Sequence, residues 1–338
     1  MTTVLEQSTQ SKKTNFDDIP VVDIGSLVDG SDIDSVANKL RFVCENIGFL
    51  YVKNHGVEQK LIDDMFNITQ QFFSLPIAEK NKIHIKNSNL TLRGYIGMYE
   101  ENVDPENTKD YKECYDMGAE TPSNIPFFGK NFFPTDTMPQ FSEIATKYHD
   151  AMLDLGLKLA RAIARSLDLP LNFFDDRMTQ PITIQRLLHY PPQSGKINIQ
   201  KMGIGAHTDY GFLTILCQDN IGGLQVLNHN QEWISAPPVD GTFIINIGDL
   251  IQTLTGGLYV STTHRVINES GQERYSMPFF MDMDFNALID VVPTRKNFTT
   301  ETVEPYLCGH HKFSRFADSY AHLENVDIND VLSNYDRA

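Results

Sequence analysis

Three residues of this chain have the types and spacing of a metal site. His207 and Asp209 stand in GIGAHTDYG (Gly203 to Gly211), and His264 stands in YVSTTHRVIN (Tyr259 to Asn268). Two imidazoles and one carboxylate in an H-x-D … H pattern form the ligand set of non-heme Fe(II) sites. Such a set takes one face of the ion and leaves the other positions open to oxygen and a co-substrate. Residues i and i+2 of an extended strand point to the same side. His207 and Asp209 can therefore hold one ion at a strand end, with Asp209 at the Asp-Tyr-Gly bend. The second imidazole must come from another strand, and the chain between Asp209 and His264 is long enough for that.

A second pair follows His264. Arg274 and Ser276 lie in Arg-Tyr-Ser, beyond the polar, glycine-containing turn Asn268 to Gln272. A hairpin at this turn is expected to put Arg274 on the strand beside His264. Arg274 and Ser276 then share a face by the period of two. A planar guanidinium fork next to a hydroxyl suits a carboxylate. A buried arginine opposite a metal site wants an anionic partner, because an unpaired buried charge is costly.

HTDYG, STTHRV and RYS together resemble the Fe(II)/2-oxoglutarate-dependent oxygenases of the isopenicillin N synthase-like group. Ile19 to Ile24, Asn46 to Gly56, Phe72 to Pro76, Arg93-Gly-Tyr95, Gly222 to Val226, Ile247-Gly-Asp249 and Arg315-Phe316 extend the resemblance in family order, from about residue 18 to 322. It implies that His207, Asp209 and His264 hold Fe(II) and that 2-oxoglutarate and O2 are co-substrates. The C5 carboxylate of 2-oxoglutarate would sit on Arg274 and Ser276. Succinate and CO2 would be released as a substrate C–H is hydroxylated. Tyr190, before Pro191-Pro192, is implied near 2-oxoglutarate. Plant members carry Asn-Tyr just before this tyrosine. Here Leu188-His189 stand there, which argues against a co-substrate role for Leu188.

The resemblance also marks a substrate side. Arg186 lies four residues before Tyr190, on the same face of an extended strand. It matches an arginine that contacts substrate in ethylene-forming enzyme and fungal thymine hydroxylase. Arg315 resembles a substrate-side arginine of the ethylene-forming enzyme. Glu101 falls where ethylene-forming and homoarginine-hydroxylating relatives place a substrate-binding glutamate, and Tyr210 follows the metal aspartate. Two arginines and Glu101 around one pocket would suit a free amino acid better than a flat apolar ring. The expected reaction is thus hydroxylation of a small polar metabolite. Other readings stay open on the same residues: an ethylene-forming or oxidative-cyclising oxidase, an oxidase without 2-oxoglutarate, a hydroxylase of a nucleobase or secondary metabolite, and an inactive metabolite-binding sensor.

The elements that must position these residues read as helical first and strand-rich later. Val36, Leu40, Val43 and Ile47 recur at helical spacing, with Gly48 as a stop. A second helix is expected from Glu58 to Phe73, and a long one from about Gln140 to Leu167. The polar stretch Lys86 to Asn89 reads as a loop, and residues 91 to 118 carry many polar groups between aromatic ones. From Pro181 onward, short strands punctuated by Gly, Pro and Asn suggest a sandwich or jelly roll. They are Ile182 to Tyr190, Phe212 to Cys217, Gly223 to Leu227, Thr242 to Ile247, Val260 to Ile267 and Tyr275 to Met281. The expected fold is mainly β with a helical surround. The resemblance sharpens this to a double-stranded β-helix core (jelly roll, cupin-like). One oxygenase domain is expected over 18–338, after a disordered arm at 1–17. Its parts are a helical N-terminal region (18–178), the core (about 180–285) and a C-terminal helical segment (about 300–338).

Composition excludes some classes of function. The 338 residues are 41% hydrophobic and 21% charged, ordinary for a globular protein with a substantial core. The net charge of −16, from 28 basic and 44 acidic residues, argues against a nucleic-acid partner. The four cysteines (Cys44, Cys114, Cys217 and Cys308) form no C-x-x-C or zinc spacing, so a reducing, cytoplasmic setting is expected. The N-terminal stretch lacks the apolar segment of a secretory signal. No run approaches the ~20 apolar residues of a membrane span. The expected partner is a small-molecule substrate, with no membrane or nucleic acid, and the sequence leaves the oligomeric state open.

Overall fold

The computed structural model describes residues 19–103, 108–121, 125–193, 202–293, 304–323, 326, 331 and 333. The expected arm at 1–17 and much of the C-terminal segment lie outside them. Short runs rich in apolar residues, several buried on both faces, build two β-sheets that share one interior. The first elements are β1 (Val21–Asp23), α1 (Gly25–Val28), α2 (Ile33–Asn46) and β2 (Phe49–Lys53). Next come α3 (Gln59–Phe73), α4 (Ile77–Lys82), β3 (Gly94–Ile96), β4 (Glu113–Met117) and α5 (Phe141–Ser166). The strand-rich part holds β5 (Pro181–Tyr190), β6 (Ile204–His207), β7 (Leu213–Gln218), β8 (Leu224–Leu227), β9 (Trp233–Ser235) and β10 (Thr242–Ile247). After α6 (Asp249–Leu254) come β11 (His264–Val266), β12 (Arg274–Asp284), the short pair β13 (Leu288–Ile289) and β14 (Tyr306–Leu307), and α7 (Cys308–Ser319).

The larger sheet runs β1-β2-β10-β7-β12-β5-β4-β3, and the smaller runs β6-β11-β8-β9. Apart from the parallel pair β1–β2, every pairing in the two sheets is antiparallel. One cavity is lined by residues from both sheets, among them Arg186, Tyr190 and Arg274 from the larger and His207 and His264 from the smaller. This double-stranded β-helix has helices on its outside. On β5 the even residues Arg186, Leu188 and Tyr190 face the cavity. Thr183, out of phase with them, bonds His149 of α5 at 2.9 Å. The period of two therefore splits β5 between the site and the helical layer. At Gly156 of α5 an added Cβ would lie 2.7 Å from Met281 Sδ on β12, which shows how closely that layer approaches.

Local signals explain the helix ends. Asp32 caps α2 by accepting from Ser35 N at 3.0 Å, and Val36, Leu40 and Val43 are buried. Gly48 follows at φ 71°, where a Cβ would strike the Val260 carbonyl at 2.3 Å. The α5 bounds lie within one residue of the expected ones.

Three expectations need correction. The N-terminal region is not purely helical, because β1 to β4 join the larger sheet. β4 reads as polar because it carries Glu113 and Asp116, yet both are buried and paired. The strand expected over Val260 to Ile267 shrinks to β11, and β9 was not foreseen. Asn268 to Gln272 is a turn, closed by Asn268 Nδ2 on the Gln272 carbonyl at 2.7 Å, but it is not a hairpin. β11 lies between β6 and β8, whereas β12 lies between β5 and β7. Arg274 therefore stands on the opposite sheet from His264. Among the described residues, no helix is long and apolar enough to cross a membrane.

Candidate active site

His207 ends β6 and His264 begins β11, and the ladder pairs the two directly. Asp209 lies just past the strand, in a turn held by Asp249 N on the Asp209 carbonyl at 2.8 Å. The Nε2 atoms of both histidines are 3.6 Å from Asp209 Oδ1. Among the described residues, this is the one group of three or more His, Cys, Asp or Glu side chains whose ligand atoms all lie within 4.8 Å. The other ring nitrogens are committed elsewhere. His207 Nδ1 meets the Gly205 carbonyl at 2.9 Å, and His264 Nδ1 meets the Thr262 carbonyl at 3.1 Å. Those contacts fix the tautomer that leaves both Nε2 lone pairs facing inward. Burial, with His207 close by, pushes His264 down to about 4, so its imidazole is neutral at neutral pH. Burial opposes ionisation of Asp209, but the histidines and its hydrogen bonds hold its carboxyl well below the usual range. Burial opposes protonation of His207, but Asp209 and the Gly205 carbonyl raise it above its ordinary value, so a cation binding there takes the place of that proton. Two imidazoles and a carboxylate that converge in this way fit a divalent iron.

Across the cavity, Arg274 is fully buried. Its Nε donates to the Gly222 carbonyl, in the glycine turn after β7. Longer contacts of 3.4 Å reach Ser276 Oγ and Gln218 Oε1. The guanidinium lies 4.6 Å over the Tyr190 ring, and Ser276 Oγ is 3.5 Å from Tyr190 Oη. Among the described residues, no carboxylate forms an ion pair with Arg274. A buried cation in this state fits an anionic ligand. Arg274, Ser276 and Tyr190 line the same cavity as the three candidate metal ligands.

The substrate-side residues fall out differently. Arg186, Glu101 and Tyr210 line an adjoining pocket beside His207 and Asp209. Arg186 is no free cation, however. Its Nε and Nη2 bind the two oxygens of Asp116 at 2.8 Å each, Nη1 binds Glu101 Oε1 at 2.6 Å, and Nη2 also reaches Tyr320 Oη. Of its five N–H donors, one on Nη1 has no described partner. Lys112 binds the other Glu101 oxygen at 2.6 Å. Burial alone would raise Glu101, but Arg186 and Lys112 hold it down to about 2. Arg315 is not among the pocket's lining residues. It is half-exposed and stacks at 4.4 Å on the Tyr210 ring, because the turn of α7 points it outward. The expected pocket of two arginines and a glutamate therefore has one paired arginine.

Several residues were missed. Lys312, Phe316, Ser319 and Tyr320, from α7 and its end, line the pocket. Lys312 is ion-paired with Asp282. Asp116 and Lys112 complete the buried charge cluster. Asn246 and Thr214 bond the second oxygen of Asp209. Asn246 was detectable as a lone amide inside the apolar run Phe243 to Ile247. The charges of β4, Glu113 and Asp116, stand three residues apart and so fall on opposite faces of the strand, which leaves no period-of-two signal to read.

A model of the 2OG-Fe(II) oxygenase superfamily matches residues 181–282, and one described as "non-haem dioxygenase in morphine synthesis N-terminal" matches residues 19–140. The chain is 33% identical over 366 residues to a 1-aminocyclopropane-1-carboxylate oxidase of Dictyostelium mucoroides, covering 95% of this chain and 97% of that one. The chain belongs to the 2OG-Fe(II) oxygenase superfamily. It is a 2-oxoglutarate-dependent dioxygenase that uses Fe(II) and O2. It is also 35% identical over 304 residues to homoarginine-6-hydroxylase of Glycine max, covering 84% of this oxygenase and 91% of the relative. The solved structure of a full-length Neurospora crassa protein in complex with alpha-KG and thymine is similar at TM-score 0.78 and 28% identity, covering 90% of this chain and 98% of that one.

Proposed function

We propose that this oxygenase hydroxylates a C–H of a small polar metabolite, with a free amino acid as the leading candidate. In this reading His207, Asp209 and His264 hold Fe(II), and Arg274, Ser276 and Tyr190 take the far carboxylate of 2-oxoglutarate. Fe(II) held there would supply the redox chemistry by which O2 oxidises 2-oxoglutarate to succinate and CO2 and a substrate C–H is hydroxylated. The chain's own work is to orient both small molecules and to exclude water.

The observation that carries the substrate proposal is the Arg186–Glu101 pair in the pocket wall beside the metal ligands. It sets one unused guanidinium N–H beside a carboxylate. That edge suits the carboxylate and ammonium of a zwitterion, while the aromatic faces of Tyr210, Phe280 and Phe316 contact the side chain. The relative named homoarginine-6-hydroxylase supports this choice. A second reading rests on the same aromatic walls. A donor beside an acceptor also matches the edge of a planar lactam such as a pyrimidine, and the similar Neurospora crassa structure contains thymine. Arg315 would act on either substrate only through the Tyr210 ring.

The four buried free cysteines support a cytoplasmic setting. The test is substrate-dependent succinate release with Fe(II) and 2-oxoglutarate, over free amino acids, pyrimidines and small phenolics. Release with amino acids is expected. Release with pyrimidines alone selects the second reading, and turnover of apolar phenolics alone sinks both. His207→Ala should abolish release with any substrate.

A further inference from the structure

Asp209 has two carboxylate oxygens, and only one of them faces the histidines. Oδ1 lies 3.6 Å from both Nε2 atoms, whereas Oδ2 accepts from Asn246 Nδ2 at 2.7 Å and from the Thr214 hydroxyl. The two donors come from different strands, Asn246 from β10 and Thr214 from β7. They are direct partners in the ladder, so their side chains stand next to each other on one face of the larger sheet. Both are buried, at 2% and 4% exposure, in a wall otherwise apolar around Phe49, Leu216 and Leu224. Asn246 Nδ2 and Thr214 Oγ1 bond no other described group. In such surroundings a polar side chain that gave up its partner would carry the full desolvation penalty, about 1–3 kcal/mol. The arrangement therefore resists rotation of the carboxylate.

We infer that Asn246 and Thr214 are positioning residues that keep Asp209 a one-oxygen ligand and so preserve the open positions of the metal. The inference rests on the metal reading above. A set of two imidazoles and one carboxylate oxygen leaves positions for a chelating co-substrate and for O2. A carboxylate that swung to chelate through both oxygens would fill one of them. The same hydrogen bonds hold Oδ1 in place, and such outer partners typically contribute 10–100-fold to metal affinity.

The experiment uses the full-length protein, stripped with chelator. Mn(II) is titrated by electron paramagnetic resonance into the wild type, Asn246→Ala, Thr214→Val and Thr214→Ser. Asn246→Ala and Thr214→Val are each expected to weaken Mn(II) binding by about tenfold or more, and Thr214→Ser, which keeps the hydroxyl, to stay near wild type. Under argon, the visible charge-transfer band of the Fe(II)·2-oxoglutarate complex should weaken or shift in the first two variants and persist in Thr214→Ser. Asn246→Leu, of similar volume but with no donor, should behave as Asn246→Ala does, which covers the case in which the alanine variant fails to fold. Unaltered affinity and band in Asn246→Leu and Thr214→Val would overturn the inference alone. Equal losses in Thr214→Ser and Thr214→Val would also overturn it, by showing a packing role. A wild type that takes up no Mn(II) would overturn the metal reading together with it.

Discussion

Replacing Arg274 by methionine tests the co-substrate side most directly. The guanidinium is fully buried, ties to the Gly222 carbonyl through Nε, and forms no ion pair among the described residues, with Asp219 acting on it only at longer range. Its two Nη groups reach only distant acceptors at 3.4 Å, so they are free to fork onto an incoming carboxylate. Methionine fills similar space and removes two charge-assisted hydrogen bonds. These contribute about 1.5–3 kcal/mol each. A loss of about 3 kcal/mol, at ~1.4 kcal/mol per decade, weakens 2-oxoglutarate binding on the order of a hundredfold. Arg274→Lys keeps the charge but loses the planar fork, and should fall between the two, near tenfold. Two assays read the effect: the dependence of succinate release on 2-oxoglutarate concentration, and the rise in melting temperature that 2-oxoglutarate gives the wild type. Mn(II) affinity should hardly change, because the arginine sits on the sheet opposite both histidines. An unchanged 2-oxoglutarate requirement, or a matching loss of metal affinity, would refute the reasoning.

Arg186→Met should lower unfolding free energy by about 3–5 kcal/mol in urea titrations, because it leaves Asp116 and Glu101 as buried carboxylates short of a cation; a loss below about 1 kcal/mol would show that the cluster does not depend on it. Gly211→Ala places a Cβ 2.2 Å from Asp282 Oδ1, which accepts from Phe212 N in the turn after Asp209. Melting should show a loss of about 1–3 kcal/mol, with weaker Mn(II) uptake, and a variant normal in both would mean that the turn has slack. Burial holds His149 below its ordinary 6.5, and the neutral ring bonds Thr183. Its share of stability is therefore complete above 6.5 and is lost as pH falls toward the lowered folded value, because the unfolded chain takes the proton first. His149→Gln should flatten the fall in melting temperature between neutral and mildly acidic pH, and an unaltered slope would count against this.

Sequence made the candidate triad legible because strand period and residue chemistry point the same way. His207 and Asp209 need only a strand end, and His264 only a partner strand. The long helix was legible to within a residue because its apolar stripe is unbroken. The sheet assignment of β12 was not. A polar turn such as Asn268 to Gln272 reads the same whether it closes a hairpin or carries the chain from one sheet to the other. Pairing choice depends on which edges are already taken, and that is a long-range property. The buried charges of β4 misled for a related reason. Their burial is stabilised by Arg186 and Lys80, from β5 and α4, and pattern reading treats lone charges as solvated. Arg315 and Lys312 lie three residues apart on α7, and only the helix's rotation against the sheet decides which one faces the pocket.

The crossing of the chain at Asn268 to Gln272 turns the sandwich into a caliper. One jaw carries His207 and His264, the other carries Arg274, and facing sheets stand about 10 Å apart. In the proposed site, a molecule that must touch both jaws is measured end to end by the architecture and not by any single side chain. A 2-oxo diacid one methylene shorter could reach the metal or the arginine, but not both, and one methylene longer it would have to buckle. Selectivity for chain length would then be as rigid as the sheets themselves, and point substitutions in the cavity would change how tightly the co-substrate is held before they changed which diacid is accepted.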